Sequence, residues 1–325
     1  MILILTDERE PTSDLVISWL LRLNKKFIRI SKDDRLEITK ITLNNHNQES
    51  DIEIKCTKTS NGEEFHFSTS EIKSYWYRRS YFRIEAFQNT LESESNLLNT
   101  LVKLYKEEEH KNIYKFLHHN LKAKAKLNNY SDTKLTKLEV LDKAKCCGLS
   151  IPSTIITREK KDVIAFQKRT GTEIITKSIG DPTSFFNYGL YAFTKLVDVE
   201  ILPERFDYSL FQEAVQKKFE LRIFFLDRKF YSTAVLSQFN EKSKVDLKAA
   251  TSNEPNKVVP FLLPEDMSTK LLKLMDSLDL KSGSIDLIYT TDDKYLFLEV
   301  NPVGQFEQVS YPGNYNIFKK VAELL

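Results

Sequence analysis

The sequence predicts an α/β (α+β) protein: an N-terminal unit led by a βαβ crossover, followed by two further α+β modules. Three observations carry that expectation. The chain opens on the apolar run Ile2-Leu3-Ile4-Leu5, passes through a stretch of helical periodicity, and reaches a second apolar run at Phe27-Ile28-Arg29-Ile30; this is the order of a parallel crossover. The middle alternates short strand-like and helix-like segments. The last third is rich in β-branched and aromatic runs separated by polar turns. At 325 residues, 41% of them hydrophobic, the chain is long enough for two or three domains with real cores. The expected divisions are residues 1–127, 128–207 and 208–325.

Within the first division, Leu15, Trp19, Leu20 and Leu23 mark the helix between the two opening strands. Alternating runs at Leu36–Leu43, Ile52–Cys56 and Glu64–Phe67 read as antiparallel strands, the last two joined at Asn61-Gly62. Tyr75-Trp76-Tyr77-Arg78-Arg79 then returns to the first sheet. The unit is Rossmann-like in outline, but no GxGxxG follows the first strand, so it is not read as a dinucleotide site. Residues 91–127 read as a polar helical region, with Leu98, Leu101, Val102 and Tyr105 on one face and His118-His119 expected at the surface.

Asp132 or Thr133 is expected to cap the next helix, which carries Lys134, Leu138, Leu141 and Ala144 and stops at Gly148. Cys146-Cys147 is expected on its buried face. Strands at Ile151–Thr157, Glu173–Lys177 and Tyr191–Val197, with a glycine-containing loop over 178–190, complete the middle module. Strands at Phe211–Val215, Leu221–Leu226 and Phe230–Leu236, a loop over 240–255, a helix over 265–279, a closing hairpin and a helix near 315–325 finish the chain.

Composition removes several function classes. With 48 Lys+Arg against 46 Asp+Glu, the chain lacks the basic excess of a nucleic-acid binder. No run approaches 18 apolar residues, so no membrane span is expected. Three cysteines without a CxxC make neither a disulfide framework nor a zinc ribbon, and a reducing cytoplasm is the expected compartment.

The chemistry concentrates in the closing hairpin, Ser284–Pro302. With the turn centred between Asp292 and Asp293, Asp286 opposes Glu299 and Ser284 opposes Asn301. One face then holds Ile285, Leu287, Tyr289, Leu296, Leu298 and Val300; the other groups Asp286, Glu299 and Asn301 at the end away from the turn. Two carboxylates directly opposed repel each other, and a divalent cation removes that objection. Asp, Glu and Asn supply the hard oxygens that Mg²⁺ takes alongside phosphate and water; the DxDxDG loop of a calcium site is missing. Lys177, where a strand meets a Ser/Gly loop, and Lys134 are candidate phosphate contacts. Glu213, Glu220 and Arg222 follow on successive strands.

The ordered set Lys134, Lys177, Glu213, Glu220, Arg222, Asp286, Glu299 and Asn301 resembles the ATP-grasp superfamily of carboxylate–amine ligases. Lys134-Leu-Thr-Lys-Leu-Glu, the Gly148-to-Pro152-Ser-Thr154 strand entry and Phe297-Leu-Glu299-Val-Asn301-Pro302-Val-Gly304 carry the likeness. The opening strand and Trp76-Tyr77-Arg78-Arg79 are most similar to the graspetide (microviridin-type) peptide macrocyclases, grasp-with-spasm branch included. The resemblance implies an ATP-grasp fold. It implies that Lys134 and Lys177 contact ATP phosphates, Glu213 and the Val215 backbone the adenine edge, and Glu220 the ribose. Arg222 would stabilise the transferring phosphoryl group, Lys177 would assist it, and Asp286, Glu299 and Asn301 would hold one or two Mg²⁺. Arg78, Arg79 and Lys248 would face the substrate. Lys248 stands where relatives carry an arginine, a point charge in place of a fork. The loop 178–190 would close over the triphosphate.

The implied activity is ATP-dependent ligation, through an acyl phosphate, of side chains within a ribosomally made precursor peptide. A ligase adding amino acids to a peptide or protein terminus and a non-catalytic peptide-binding relative are the alternatives. The precursor peptide is the expected partner, the branch implies a radical-SAM/SPASM enzyme as a second, and homodimerisation stays open.

Overall fold

The computed structural model describes residues 1–43, 50–85, 95–180, 194–237 and 256–325, with backbone only at Thr133 and Lys134. The chain divides into two compact units, Met1–Thr133 with Asn316–Leu325, and Lys134–Tyr315.

The first unit begins β1 (Ile2–Thr6), α1 (Pro11–Arg22), β2 (Phe27–Ile30). It continues through β3 (Arg35–Leu43), β4 (Ser50–Thr57), β5 (Glu64–Ser68), β6 (Ser74–Arg78), β7 (Arg83–Ile84) and α2 (Asn96–Lys122). β1 lies between β2 and β6, both parallel to it, so the predicted crossover and the return of Tyr75–Arg78 to the sheet are both present. A second sheet, β5-β4-β3-β7, contains the predicted β4–β5 hairpin; Gly62 at its turn has φ 72°, a left-handed conformation glycine adopts without a Cβ penalty.

Helix α1 buries Thr12, Ser13, Val16 and Leu20, a face that keeps Leu20 of the predicted Leu15, Trp19, Leu20 and Leu23 stripe and is rotated from the other three. The rotation is possible because its polar members are satisfied: Thr6 and Ser13 hydroxyls bond at 2.8 Å, and Ser13 donates its N–H to the Glu10 carboxylate at 2.7 Å. Trp19 stays half-buried, with the Arg22 guanidinium 5.0 Å from its ring centre. The C-terminal helix α7 lies against α1.

Arg78 is buried and donates from Nη2 to Glu10 Oε1 and Thr12 Oγ1, each at 3.0 Å. Burial pushes the Glu10 carboxyl up, but the Arg78 charge and hydrogen bonds from Arg78 and Ser13 hold it below its ordinary 4.5. Glu10 therefore contributes stability above pH 4.5 that is lost as pH falls through its depressed value. Glu10→Gln should lower the melting temperature of this unit by about 5–10 °C at pH 7; thermal melts against pH should show the gap from wild type closing in acid.

Only Leu117 and Leu121 of α2 are buried. His118, expected at the surface, instead stacks on Tyr130 at 4.4 Å between centroids and meets Tyr114 edge-on at 4.7 Å. Tyr114 lies one turn earlier on the same helix, and the other ring neighbours, Phe82 and Tyr130, come from other segments of the chain.

A 3-10 turn over Tyr130–Lys134 leads into the second unit: α3 (Lys137–Cys146), β8 (Thr154–Glu159), α4 (Lys160–Thr170), β9 (Ile174–Lys177), β10 (Lys195–Leu196) and β11 (Arg205–Glu213). Then come β12 (Lys217–Leu226), β13 (Lys229–Leu236), β14 (Lys257–Pro260), α5 (Glu265–Ser277), β15 (Ser282–Thr290), β16 (Tyr295–Asn301) and α6 (Glu307–Ser310), before α7 (Ile317–Leu324). One sheet runs β10-β9-β11-β8 and the other β14-β13-β12-β15-β16, with every pairing in both antiparallel.

The predicted start of α3 is corrected. Its cap is Thr136, in a capping box with Glu139, so Lys134 sits in the turn before the helix and Lys137 is the first helical residue. Cys146 is exposed and only Cys147 reaches the core, in part; Val140, Leu141 and Ala144 take the buried face. These side chains pack with Leu271, Leu274 and Met275 of α5 under the inward residues of the five-stranded sheet, Leu221, Ile223, Phe225, Ile285, Leu287, Phe297 and Val300. With helices covering one face of that sheet, its other face is left to carry polar groups.

Candidate active site

On that second face, cross-strand register brings the predicted residues together. Arg222 of β12 pairs with Asp286 of β15, Asp286 with Glu299 of β16, and Ser284 with Asn301. The last two pairings match the sequence expectation, but the hairpin reaches them differently. Near the turn the partners are Tyr289 with Tyr295, Ile288 with Leu296 and Leu287 with Phe297; a register shift follows before Asp286. Leu298 is thus the extra residue of a β-bulge. In consequence Phe297, fully buried, fills the core position expected for a leucine, and Leu296 lies on the opposite face with Ile288.

Arg222 Nη1 donates to Asp286 Oδ2, whereas Asp286 Oδ1 is buried and has no hydrogen-bond partner among the described residues. Burial, with Glu299 and Glu220 near, pushes the Asp286 carboxyl up to about 6 against the opposing pull of Arg222. Burial also works against the Arg222 charge, but Asp286, Glu220 and Glu299 together more than offset it and hold the guanidinium protonated. A buried carboxylate oxygen left over beside a second carboxylate is an arrangement that a cation would complete.

Lys177 stands at the end of β9. Burial and the like charge of Lys137 depress its ammonium to about 8, with Glu299 and Asp286 resisting the fall. Lys137 Nζ lies 3.8 Å from Glu299 Oε2 and donates to the Ser178 carbonyl at 3.2 Å. Sequence reasoning passed over Lys137 in favour of Lys134, whose side chain is outside the described residues. The signal was present: Thr136-x-x-Glu139 is a capping box and fixes Lys137 at the helix start.

Asn301 is set by the turn after it. Its Oδ1 accepts from Val303 N at 3.1 Å, and its carbonyl accepts from Gly304 N at 3.0 Å. A Cβ on Gly304 would come within 2.3 Å of Ser284 Cβ and Oγ. Gly304→Ala should therefore displace Asn301 and lower thermal stability by about 1–3 kcal/mol; adding Ser284→Gly should restore much of it in the same melts.

Glu220 is buried and ion-paired with Lys217. Glu213 Oε1 accepts from Ser153 N at 2.8 Å, joining the end of β11 to the segment before β8. Arg78 spends its guanidinium inside the first unit, while Arg79 is exposed with φ 51°. Lys248 and residues 181–190 of the expected closing loop lie outside the described residues. Among the described residues no group of three or more His, Cys, Asp or Glu could hold a metal; the candidate set is two carboxylates and an amide oxygen, hard donors suited to an ion that keeps water and phosphate oxygens. Also among these residues, no helix is long and apolar enough to cross a membrane.

No protein-family profile and no curated protein matches the chain. Solved structures do. The chain is similar to the macrocyclase MdnC from Microcystis aeruginosa MRC, bound with precursor peptide MdnA, at 26% identity and TM-score 0.71 over 100% of this chain and 98% of that one. It is similar to a RiPP-associated ATP-grasp ligase of Chryseobacterium gregarium, in complex with ADP and a leader and core peptide, at 24% identity and TM-score 0.75 over 100% and 96%. It is also similar to the ATP-grasp ligase PsnB, complexed with a minimal precursor, Mg and ADP, at 13% identity and TM-score 0.65 over 99% and 95%. The fold is ATP-grasp, as the sequence predicted.

Proposed function

We propose that this ATP-grasp chain is an ATP-dependent carboxylate ligase that joins side chains of a ribosomally made precursor peptide by ester or amide bonds. The observation that carries the reading is the polar sheet face, where Arg222, Asp286, Glu299 and Asn301 meet Lys137 and Lys177 behind a core-packed hairpin. Its likeness to ligases whose structures hold ADP and peptide supports it.

A carboxylate is a poor acyl donor because its leaving group would be oxide. Transfer of the γ-phosphoryl of ATP to the carboxylate oxygen gives an acyl phosphate and ADP. Attack on the acyl carbon by a hydroxyl or amine then releases inorganic phosphate and a proton. Asp286, Glu299 and Asn301 would hold Mg²⁺, which when bound supplies positive charge to phosphate oxygens. Lys177 and Lys137 would take phosphate oxygens; the depressed ammonium of Lys177 gains its full charge as an anion arrives. Arg222, kept protonated by Asp286, offers a fixed guanidinium to the transferring phosphoryl group. Glu213 and the Val215 backbone would meet the adenine edge and Glu220 the ribose. The substrate role implied for Arg78 and Arg79 falls to Arg79, the exposed one of the two.

Incubation of the protein, Mg-ATP and a Thr/Ser- and Asp/Glu-rich peptide encoded beside it should remove one water, about 18 Da, per crosslink. Mass gain on the acceptor would instead mark addition of free amino acids, and no ATP turnover with any such peptide would defeat the ligase reading.

A further inference from the structure

On the polar face of the five-stranded sheet, Glu220 lies between Val235 of β13 and Ile288 of β15, whose side chains carry no hydrogen-bond donor. Arg222, next along that face, is bonded to Asp286. The cation on Glu220 is Lys217, whose Nζ donates to Oε1; the two side chains are only 6% and 9% exposed. Plain alternation back from Phe219 would turn Lys217 toward the helices with Phe219 and Leu221. A register shift between Lys217 and Phe219 makes Lys218 an extra residue instead, so Lys217 pairs with Thr290 and joins Glu220 on the polar face. The bulge is pinned from both sides. Lys218 reaches outward to Asp293 Oδ1 at 2.5 Å, and the Gln216 carbonyl accepts from Thr291 N at 3.1 Å.

A buried ion pair stabilises a fold little more than apolar side chains of the same volume do, so a bulge that delivers one to the face opposite the core points to a ligand. We infer, on the reading in which Glu220 meets the ribose, that Lys217 is a positioning residue through which the site selects nucleotides carrying ribose hydroxyls. Lys217 takes one carboxylate oxygen, Oε1, and leaves Oε2 for a hydroxyl. Its charge also offsets the burial of the Glu220 carboxylate and the like charge of Asp286 nearby. Oε2 then meets the hydroxyl as a fixed, charged acceptor, which bonds more strongly than a neutral one. A site built this way rejects an analogue without the hydroxyl, because its buried acceptor is left unmet.

The test titrates the full chain with Mg-ATP and with Mg-2′,3′-dideoxy-ATP, which differs only in lacking the two hydroxyls. Wild type should bind ATP at least about tenfold more tightly, and Lys217→Met should narrow that ratio to within about threefold. A role confined to holding the sheet together would weaken both nucleotides alike and leave the ratio unchanged. Lys217→Gln, uncharged but able to donate to Glu220, keeps the inference testable if Lys217→Met does not fold; its ratio should still fall at least about threefold. With Glu220→Gln already in place, Lys217→Met should change the ratio no further. A wild type indifferent to the hydroxyls, or a ratio that survives substitution at Lys217, would overturn the inference. Peptide crosslinking by a protein that binds both nucleotides equally would do so while leaving the ligase reading in place. A ratio lost at Lys217 in a protein that crosslinks nothing would do the reverse.

Discussion

Replacing Glu299 with glutamine should reduce ATP-dependent crosslinking at least about tenfold while leaving the melting temperature within a few degrees of wild type. The substitution keeps the size and one carbonyl oxygen of the side chain and removes its charge. In the unliganded protein that charge has little structural work: its ion-pair contact is with Lys137 at 3.8 Å, and its side chain is 39% exposed. Such a pair is worth about 0–1 kcal/mol. The expected loss is therefore almost all in turnover, measured by mass spectrometry of the peptide alongside a thermal melt. Unchanged turnover would remove Glu299 from the proposed metal site.

Arg222→Gln should have a larger effect, about 10²–10³ in turnover, through loss of a fixed cation at the phosphoryl group. It should also destabilise the fold, by about 3–5 kcal/mol at neutral pH, because Asp286 would then be buried without the guanidinium it bonds. The pH dependence gives this cost a signature. The Asp286 carboxyl is already raised to about 6 in the folded chain, so it costs stability as pH rises from its ordinary value through that one. Without Arg222 the folded carboxyl moves higher, and the loss should extend further toward neutrality. Melts from pH 4 to 9 should show the variant falling more steeply than wild type above pH 6, and adding Asp286→Asn should flatten the curve. Parallel curves for Arg222→Gln and wild type would show that the pair does not act as described.

The fold was legible where a signal is local. The opening crossover, the Asn61-Gly62 hairpin and the apolar face of α5 follow from periodicity and turn residues. The opposition of Asp286 to Glu299 was legible because the register set by a turn centred between Asp292 and Asp293 is the one that holds beyond the bulge. What escaped was settled by distant partners or by irregular backbone. Nothing near Arg222 in sequence says that β12 lies beside β15. The bulge at Leu298 breaks the alternation from which Leu296 was assigned to the core in place of Phe297. Lys134 and Lys137 share one short polar run, and the capping box that distinguishes them went unused. His118 looked like a surface residue because its ring neighbours, Phe82, Tyr114 and Tyr130, are not gathered in one stretch of chain.

The additional residue in β16 makes the tip of the hairpin and its functional end answer to different rules. Because Leu298 absorbs a half-step of phase, the segment toward the turn obeys one parity and Glu299 to Asn301 the other. A chain shortened by that single leucine would pair without a bulge, with Glu299 still opposite Asp286 and Val300 still facing the helices, so the site keeps its geometry without that residue. The loop beyond Tyr289 and Tyr295 lies at the opposite end of the hairpin from Glu299 and Asn301, so the tip is where variation in length can accumulate without moving those side chains.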